Sequence, residues 1–181
     1  QWVLNTRAGL VDLRTGAVSP SKREDYCTKV TSAGLSDDCP LFRQVLYDAT
    51  GGDEELASFL HRWFGYCLTG SVREQSLVFM YGPGATGKST ITSAIASAMG
   101  DYAMMLPMES LTEARGERHP TDLARLRGTR LAVAHETEEG KRWAESRVKA
   151  MTGGDRIAAR FMRADFFEFD PQFKLTIHGN H

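Results

Sequence analysis

The sequence predicts a parallel α/β sheet with flanking helices, preceded by a small, mostly helical unit that opens with short strands. Three observations carry that expectation. From Ser76 onward, apolar runs alternate with helix-forming stretches, the pattern of consecutive β–α–β units. One of those runs, SLVFMY, is continuously apolar, as a strand buried on both faces is. A glycine-rich loop, GPGATGKST over Gly82–Thr90, joins that run to a helix-forming stretch.

At 181 residues the chain has room for one domain, or one domain with a small appendage. We place the boundary near Gly70, giving a small unit over 1–70 and an α/β core over 71–181. The composition, 41% hydrophobic and 25% charged, is that of a globular protein and excludes disordered or fibrous classes. No apolar run approaches the ~20 residues that span a bilayer, so no membrane partner is expected. The start, QWVLNTRAGLVDL, lacks the basic and apolar regions of a signal peptide. Cys27, Cys39 and Cys67 are widely spaced and form no zinc-ligand pattern; His135-Glu136 is not followed by a second histidine at zincin spacing. A reduced, metal-poor, cytoplasmic protein is the expectation. The net charge of −1 excludes a globally basic nucleic-acid binder, though not a local basic patch.

In chain order, LVDLRTGAVSP predicts two short strands around a turn at Thr15-Gly16. Asp37, Asp38 and Pro40 start a helix through Phe42, Val45, Leu46 and Ala49 that stops at Gly51-Gly52. Asp53 caps the next helix, where Leu56, Phe59, Leu60, Trp63, Phe64 and Cys67 share one broad apolar face, read as core packing. After SLVFMY and the loop, a helix runs from Ser89 to Met99 with Ile91, Ala94, Ile95 and Ala98 inward. A strand follows around Ala103–Leu106, then a short helix near Leu123 and the strand RLAVAH. A helix around Trp143, Val148 and Met151 ends at Gly153-Gly154, and the last strand is KLTIH. Between them lies a hairpin with arms Ile157–Phe161 and Phe166–Phe169 and a tip over Met162–Asp165.

The loop satisfies G-x-x-x-x-G-K-[ST] at Gly82, Gly87, Lys88 and Ser89. By chance the pattern appears in roughly one chain of this length in a hundred, and its position between strand and helix confirms it. Glycines let backbone N–H groups curl around an anion, and the helix that begins there adds the positive end of its dipole. The backbone of Gly82, Pro83, Gly84, Ala85, Thr86, Gly87, Lys88, Ser89 and Thr90 is thus the expected nucleotide cradle. Lys88 reaches the β- and γ-phosphates, and the Ser89 hydroxyl suits Mg²⁺. ATP and Mg²⁺ are the expected ligands.

Hydrolysis also needs a carboxylate on the metal side or near the attacking water. RLAVAHETEEG ends its apolar run in Glu136, the first choice for that role; Glu138 is the second, and Glu139 reads as a solvated loop residue. Ten of the sixteen arginines fall between Arg115 and Arg163, together with Lys141 and Lys149. Arg160 and Arg163, near the hairpin tip, are candidate phosphate contacts, although surface arginines are commonly only solvated charge.

Taken in order, GPGATGKST, LAVAHETEE, KAMTGGDRIAAR and FKLTIHGN resemble the Walker A, B, B′ and C motifs of the superfamily 3 helicases, in particular the phage/plasmid and poxvirus-type primase–helicases. TGAVSP, CPLF and FLHRWFGYCLTG resemble the small domain that precedes the motor in that family, so the likeness covers nearly the whole chain. It implies an AAA+-like P-loop NTPase core in which Lys88 and Ser89 bind phosphate and Mg²⁺. Glu136 is then the motif B acid and Asn180 the sensor on the γ-phosphate or the attacking water. Lys149, Asp155 and the hairpin belong to B′, which in relatives faces DNA in the ring's channel; Lys149, Arg160 and Arg163 are then the expected DNA contacts. The family's arginine from a neighbouring subunit lies beyond motif C, so the resemblance also implies that His181 closes a fragment lacking the last part of the motor. The implied activity is an ATP-driven helicase motor moving on single-stranded DNA. It would work in a homo-oligomeric, hexameric ring, encoded by a phage, prophage or plasmid and acting in the bacterial cytoplasm. Two other readings stay open: a different P-loop NTPase, and a nucleotide-dependent replication-initiator or assembly module without turnover.

Overall fold

The computed structural model describes residues 1–113, 121–135 and 142–179. The chain opens with a three-stranded antiparallel sheet, β1 (Val3–Thr6), β2 (Gly9–Asp12) and β3 (Val18–Ser19). β1 was not expected from the sequence. The turn at Thr15-Gly16 is present, with Gly16 at φ 75° donating to Asp12 O at 2.7 Å. Helix α1 (Pro40–Ala49) starts on its proline, whose missing N–H costs nothing in a first turn. Gly51 and Gly52, both at positive φ, end it. Helix α2 (Glu54–Cys67) follows, its first turn capped by Asp53, whose Oδ1 accepts from Leu56 N at 3.0 Å.

The remaining elements are β4 (Leu77–Met80), α3 (Lys88–Met99), β5 (Ala103–Leu106), α4 (Thr121–Ala124), β6 (Leu131–His135), α5 (Glu145–Thr152), β7 (Ile157–Ala159), β8 (Phe167–Phe169) and β9 (Lys174–His178). Four of the strands form a parallel sheet in the order β4–β9–β6–β5. The last strand in sequence is therefore a central one, and every residue of it is buried. The fold is mixed α/β with a parallel sheet and helices.

Alternate residues of the strands serve two cores. Leu131 and Val133 pack with Ile91, Met99 and the buried residues of α2 and the N-terminal sheet, so both parts of the chain share one apolar cluster. Ala132, Ala134, Leu175 and Ile177 face the other side, against Leu126, Met151 and the inner residues of the β7–β8 hairpin. Burial of that continuity is the main source of the fold's stability.

Four expectations change. β4 is half-buried throughout rather than buried, because among the described strands it pairs with β9 alone. On α3 the inward residues are Ile91, Thr92 and Met99 with Ile95 half-buried, while Ala94 and Ala98 are exposed; alanine spacing says little about which way a helix faces. The hairpin arms are shorter than expected, three residues each, paired from Ile157–Phe169 to Ala159–Phe167. On α2, Leu60, Trp63, Phe64 and Cys67 are core as expected, but Leu56 and Phe59 are 44% and 42% exposed.

Two buried cations stitch the layers at the start of the central strands. Arg130, just before β6, donates through its two terminal nitrogens to Leu68 O and Val3 O and lies over the Tyr102 ring at 4.6 Å. Lys174, the first residue of β9, donates to Thr69 O and to Gln172 O and lies 4.8 Å from the Tyr66 ring centre. Burial lowers both side chains' pKa, that of Lys174 to about 8.

Candidate functional site

The glycine-rich loop leaves the C-terminal end of β4 and runs into the first turn of α3. Its shape depends on residues at positive φ: Gly82 at 146°, Ala85 at 62° and Gly87 at 84°. Gly87 is also tightly packed, since a Cβ there would stand 3.2 Å from the Ala49 Cβ at the end of α1. Backbone conformation and packing both require the glycine that the motif places here.

Lys88 is buried to 9% exposure, and its Nζ donates to Gly82 O at 2.9 Å, Pro83 O at 2.8 Å and Thr86 Oγ1 at 3.0 Å. The Thr86 hydroxyl in turn donates to Pro83 O at 3.0 Å. Thr86 thus accepts from the lysine and, by donating to Pro83 O, braces the loop. The ammonium is fixed at the mouth of the loop. Pro83, Gly84, Ala85, Ser89 and Thr90 are exposed along its rim, while Gly82, Thr86 and Gly87 are half-buried.

The parallel register brings the C-terminal ends of the other strands to the same side. His178 is level with Met80 on one neighbour and with His135 on the other. Gly179 N donates to Met80 O at 3.0 Å, tying the end of β9 to the root of the loop. In open parallel sheets this edge is where ligands bind. Glu136 and Glu138, which follow β6, and Asn180, which follows Gly179, lie outside the described residues.

Two histidines at this edge were not expected in the site. The rings of His135 and His178 stack with centroids 4.5 Å apart and planes at 23°. Burial, with His135 and Lys88 adding repulsion, pushes His178 down to about 4, so it is neutral at physiological pH. The signal available was positional: each histidine closes a predicted parallel strand.

The basic candidates stand elsewhere. Lys149 on α5 is exposed and makes an i,i+4 pair with Glu145 at 3.7 Å. Arg160 is exposed with its guanidinium 4.7 Å from the Phe166 ring centre, and Arg163 holds a left-handed turn conformation at φ 59°. Arg156 is paired with Glu168 at 3.5 Å and Asp170 at 3.3 Å. Phe161, Met162 and Phe166 are exposed around Arg160, giving the hairpin turn an apolar as well as a basic surface. Asp155 is exposed at the start of the hairpin.

Two family models match separate parts of the chain. Residues 1–51 match the D5 N terminal like family, and residues 80–181 match the family of unknown function DUF5906. A protein of Acanthamoeba polyphaga mimivirus named "Putative helicase L207/L206" is 25% identical over 180 residues, 96% of this chain and 19% of its own length. A Marchantia polymorpha mitochondrial protein, ymf21, is 36% identical over 56 residues, 31% of either chain. Among solved structures, the apo NrS-1 C terminal region superposes with a TM-score of 0.66 at 11% identity, over 83% of this chain and 35% of that one. That likeness establishes a shared fold. The chain therefore spans between a fifth and about a third of the length of the proteins it matches. With its D5-like N-terminal segment and its likeness to a viral helicase, the chain resembles the phage-type primase–helicases, as its motif order implied, and it belongs to the family of unknown function DUF5906.

Proposed function

We propose that the chain is the ATP-binding part of a DNA helicase motor in a phage- or plasmid-type replication protein, built on an AAA+-like P-loop NTPase fold. The observation that carries this reading is the loop itself. Gly82 and Gly87 hold positive φ, Lys88 is fixed at the loop's mouth, and β6 and β9 end on the same edge, which together support an anion cradle.

In this reading the triphosphate lies on the backbone of Gly82–Thr90, with the Lys88 ammonium moving from loop carbonyls to phosphate oxygens. Ser89, exposed in the first turn of α3, and Glu136 would hold Mg²⁺, which supplies charge neutralisation at the phosphates. Glu136 or Glu138 orients the attacking water, and Asn180 senses the γ-phosphate. His178 stays neutral and adds no competing charge beside Lys88. Lys149, Arg160 and Arg163 contact the phosphates of single-stranded DNA, with binding that weakens as salt rises. A homo-oligomeric, hexameric ring in the full-length protein would align the hairpins.

The test is Mg²⁺-dependent ATP hydrolysis by the full-length protein with and without single-stranded DNA, with Lys88→Ala as control. DNA-stimulated turnover that vanishes in the control supports the motor. Turnover indifferent to DNA points to another P-loop NTPase. ATP binding without turnover leaves the initiator or assembly module.

A further inference from the structure

Gln75, two residues before β4, holds a left-handed backbone conformation at φ 48°, which is strained for any residue with a Cβ. The turn that ends on it is secured twice: Gln75 N donates to Val72 O at 3.0 Å, and Glu74 N donates to the Tyr66 hydroxyl of α2 at 3.3 Å. From there the Gln75 amide donates through Nε2 to Gly153 O at 2.9 Å, across 78 positions of sequence. Gly153 and Gly154 form the joint between α5 and the β7–β8 hairpin, and each is required to be glycine for a different reason. A Cβ on Gly153 would stand 2.8 Å from Lys149 O; Gly154 holds φ 85°, and a Cβ there would meet Val72 Cγ2 at 3.5 Å. Val72 and Gln75 therefore lie against the two glycines. On the helix side Gly153 N is tied to Lys149 O at 2.7 Å, so the bond from Gln75 fixes the other side of the same residue. The basic candidates are divided by this joint: Lys149 stands one turn before it on α5, Arg160 and Arg163 beyond it on the hairpin.

We propose that Gln75 is a positioning residue: it clamps the glycine joint so that Lys149 and the hairpin arginines are held in one arrangement and engage a single strand together. The assignment rests on the DNA-contact reading above. A left-handed glutamine costs the fold about as much as one hydrogen bond returns, so the clamp adds little to stability. Stability alone favours glycine at such a conformation; a glutamine is explained by what its amide holds. Through the turn's bond to Tyr66, the linker that follows α2 sets the geometry of a surface on the far side of the sequence.

The experiment uses two variants of the full-length protein that lose the same donor but differ in backbone strain. Gln75→Met keeps the side chain's length and the strain; Gln75→Gly relieves the strain and should melt at the higher temperature of the two. Both should bind a fluorescein-labelled oligothymidine strand roughly tenfold more weakly than the wild type, the effect of losing one charge-assisted phosphate contact. The slope of log affinity against log salt should become shallower by about 0.7. ATP affinity should not change, and hydrogen exchange should quicken at Gly153 and Gly154 while β6 and β9 stay as protected as in the wild type. DNA affinity that follows melting temperature, weak in Gln75→Met and restored in Gln75→Gly, overturns the proposal, as does unchanged exchange at the joint. Quickened exchange with undiminished DNA binding also overturns it, since the clamp then positions nothing, and leaves the DNA contacts standing. If the wild type does not bind the strand at low salt, the DNA-contact reading fails and the positioning role falls with it.

Discussion

The two ends of the parallel sheet treat buried positive charge in opposite ways. Where the central strands begin, Arg130 and Lys174 reach across to carbonyls of other elements: Leu68 and Val3 for one, Thr69 for the other. Where the strands end, Lys88 is held, among the described residues, by its own loop, through Gly82 O, Pro83 O and Thr86 Oγ1. A buried cation bonded across layers ties those layers together, and removing it takes a charged donor from each of those carbonyls. A cation bonded to a loop a few residues away ties nothing together. It is positioned, and its bonds can be exchanged for those of an anion. The starts of the strands hold the fold; their ends hold the proposed nucleotide site.

The largest expected effect breaks the first half of that contrast. Arg130→Met should cost about 2–5 kcal/mol of stability, because it takes the donor from two carbonyls, at about 1–3 kcal/mol for each buried polar group left unpaired. Lys88→Met should cost about 1 kcal/mol or less, because Pro83 is exposed and Gly82 half-buried, so water can reach their carbonyls. Urea unfolding of both variants measures the difference; equal losses would end the distinction. The second prediction reverses the ranking. Lys88→Met should weaken ATP binding by roughly 10–100-fold, the loss of a charge-assisted contact, whereas Arg130→Met should leave affinity unchanged at temperatures where it is folded.

Lys174 sharpens the same point through pH. Its pKa is about 8 in the folded chain against an ordinary 10.5, so between those values the unfolded chain binds more protons than the folded one. Stability therefore rises as pH climbs from 8 to 10.5, by on the order of 2–3 kcal/mol. Cys67 works against it: burial pushes the thiol up to about 12 from 9, so stability is lost as pH rises through that interval. In a Cys67→Ala background the rise should be visible in unfolding free energies measured from pH 7.5 to 10, and Lys174→Met should flatten it.

How much of this could be read beforehand follows from how local each feature is. The glycine-rich loop was legible as a connection from strand to helix, since strand, glycines, lysine and helix are consecutive and each has its own reason to be there. Asp53 and Gly51-Gly52 were legible for the same reason. The buried cations were not: an arginine and a lysine at strand starts look like solvated ends until the strand order shows that β6 and β9 are central. Periodicity placed Leu56 and Phe59 on the apolar face of α2, but it reports which residues share a face and not what covers them. β1 was missed because four residues outside any repeat carry little signal, and it is the pairing with β2 that defines it.

The smallest effect concerns the midpoint of β9. Trp63 Nε1 donates to Thr176 Oγ1 at 2.9 Å, joining α2 to the sheet halfway between its two ends, and Thr176 is wholly buried. Trp63→Phe removes the donor and leaves that hydroxyl without it, at an expected cost of about 1–2 kcal/mol beyond the lost packing. Thr176→Val alone should cost a similar amount, because it leaves the indole N–H buried and unpaired. Together they should cost less than their sum by about 1 kcal/mol, since an apolar pair has no stranded partner. A double-mutant cycle in urea measures that coupling. Additive losses would mean that the bond contributes nothing of its own, and that α2 is held to the sheet by apolar burial and the two cations at the strand starts.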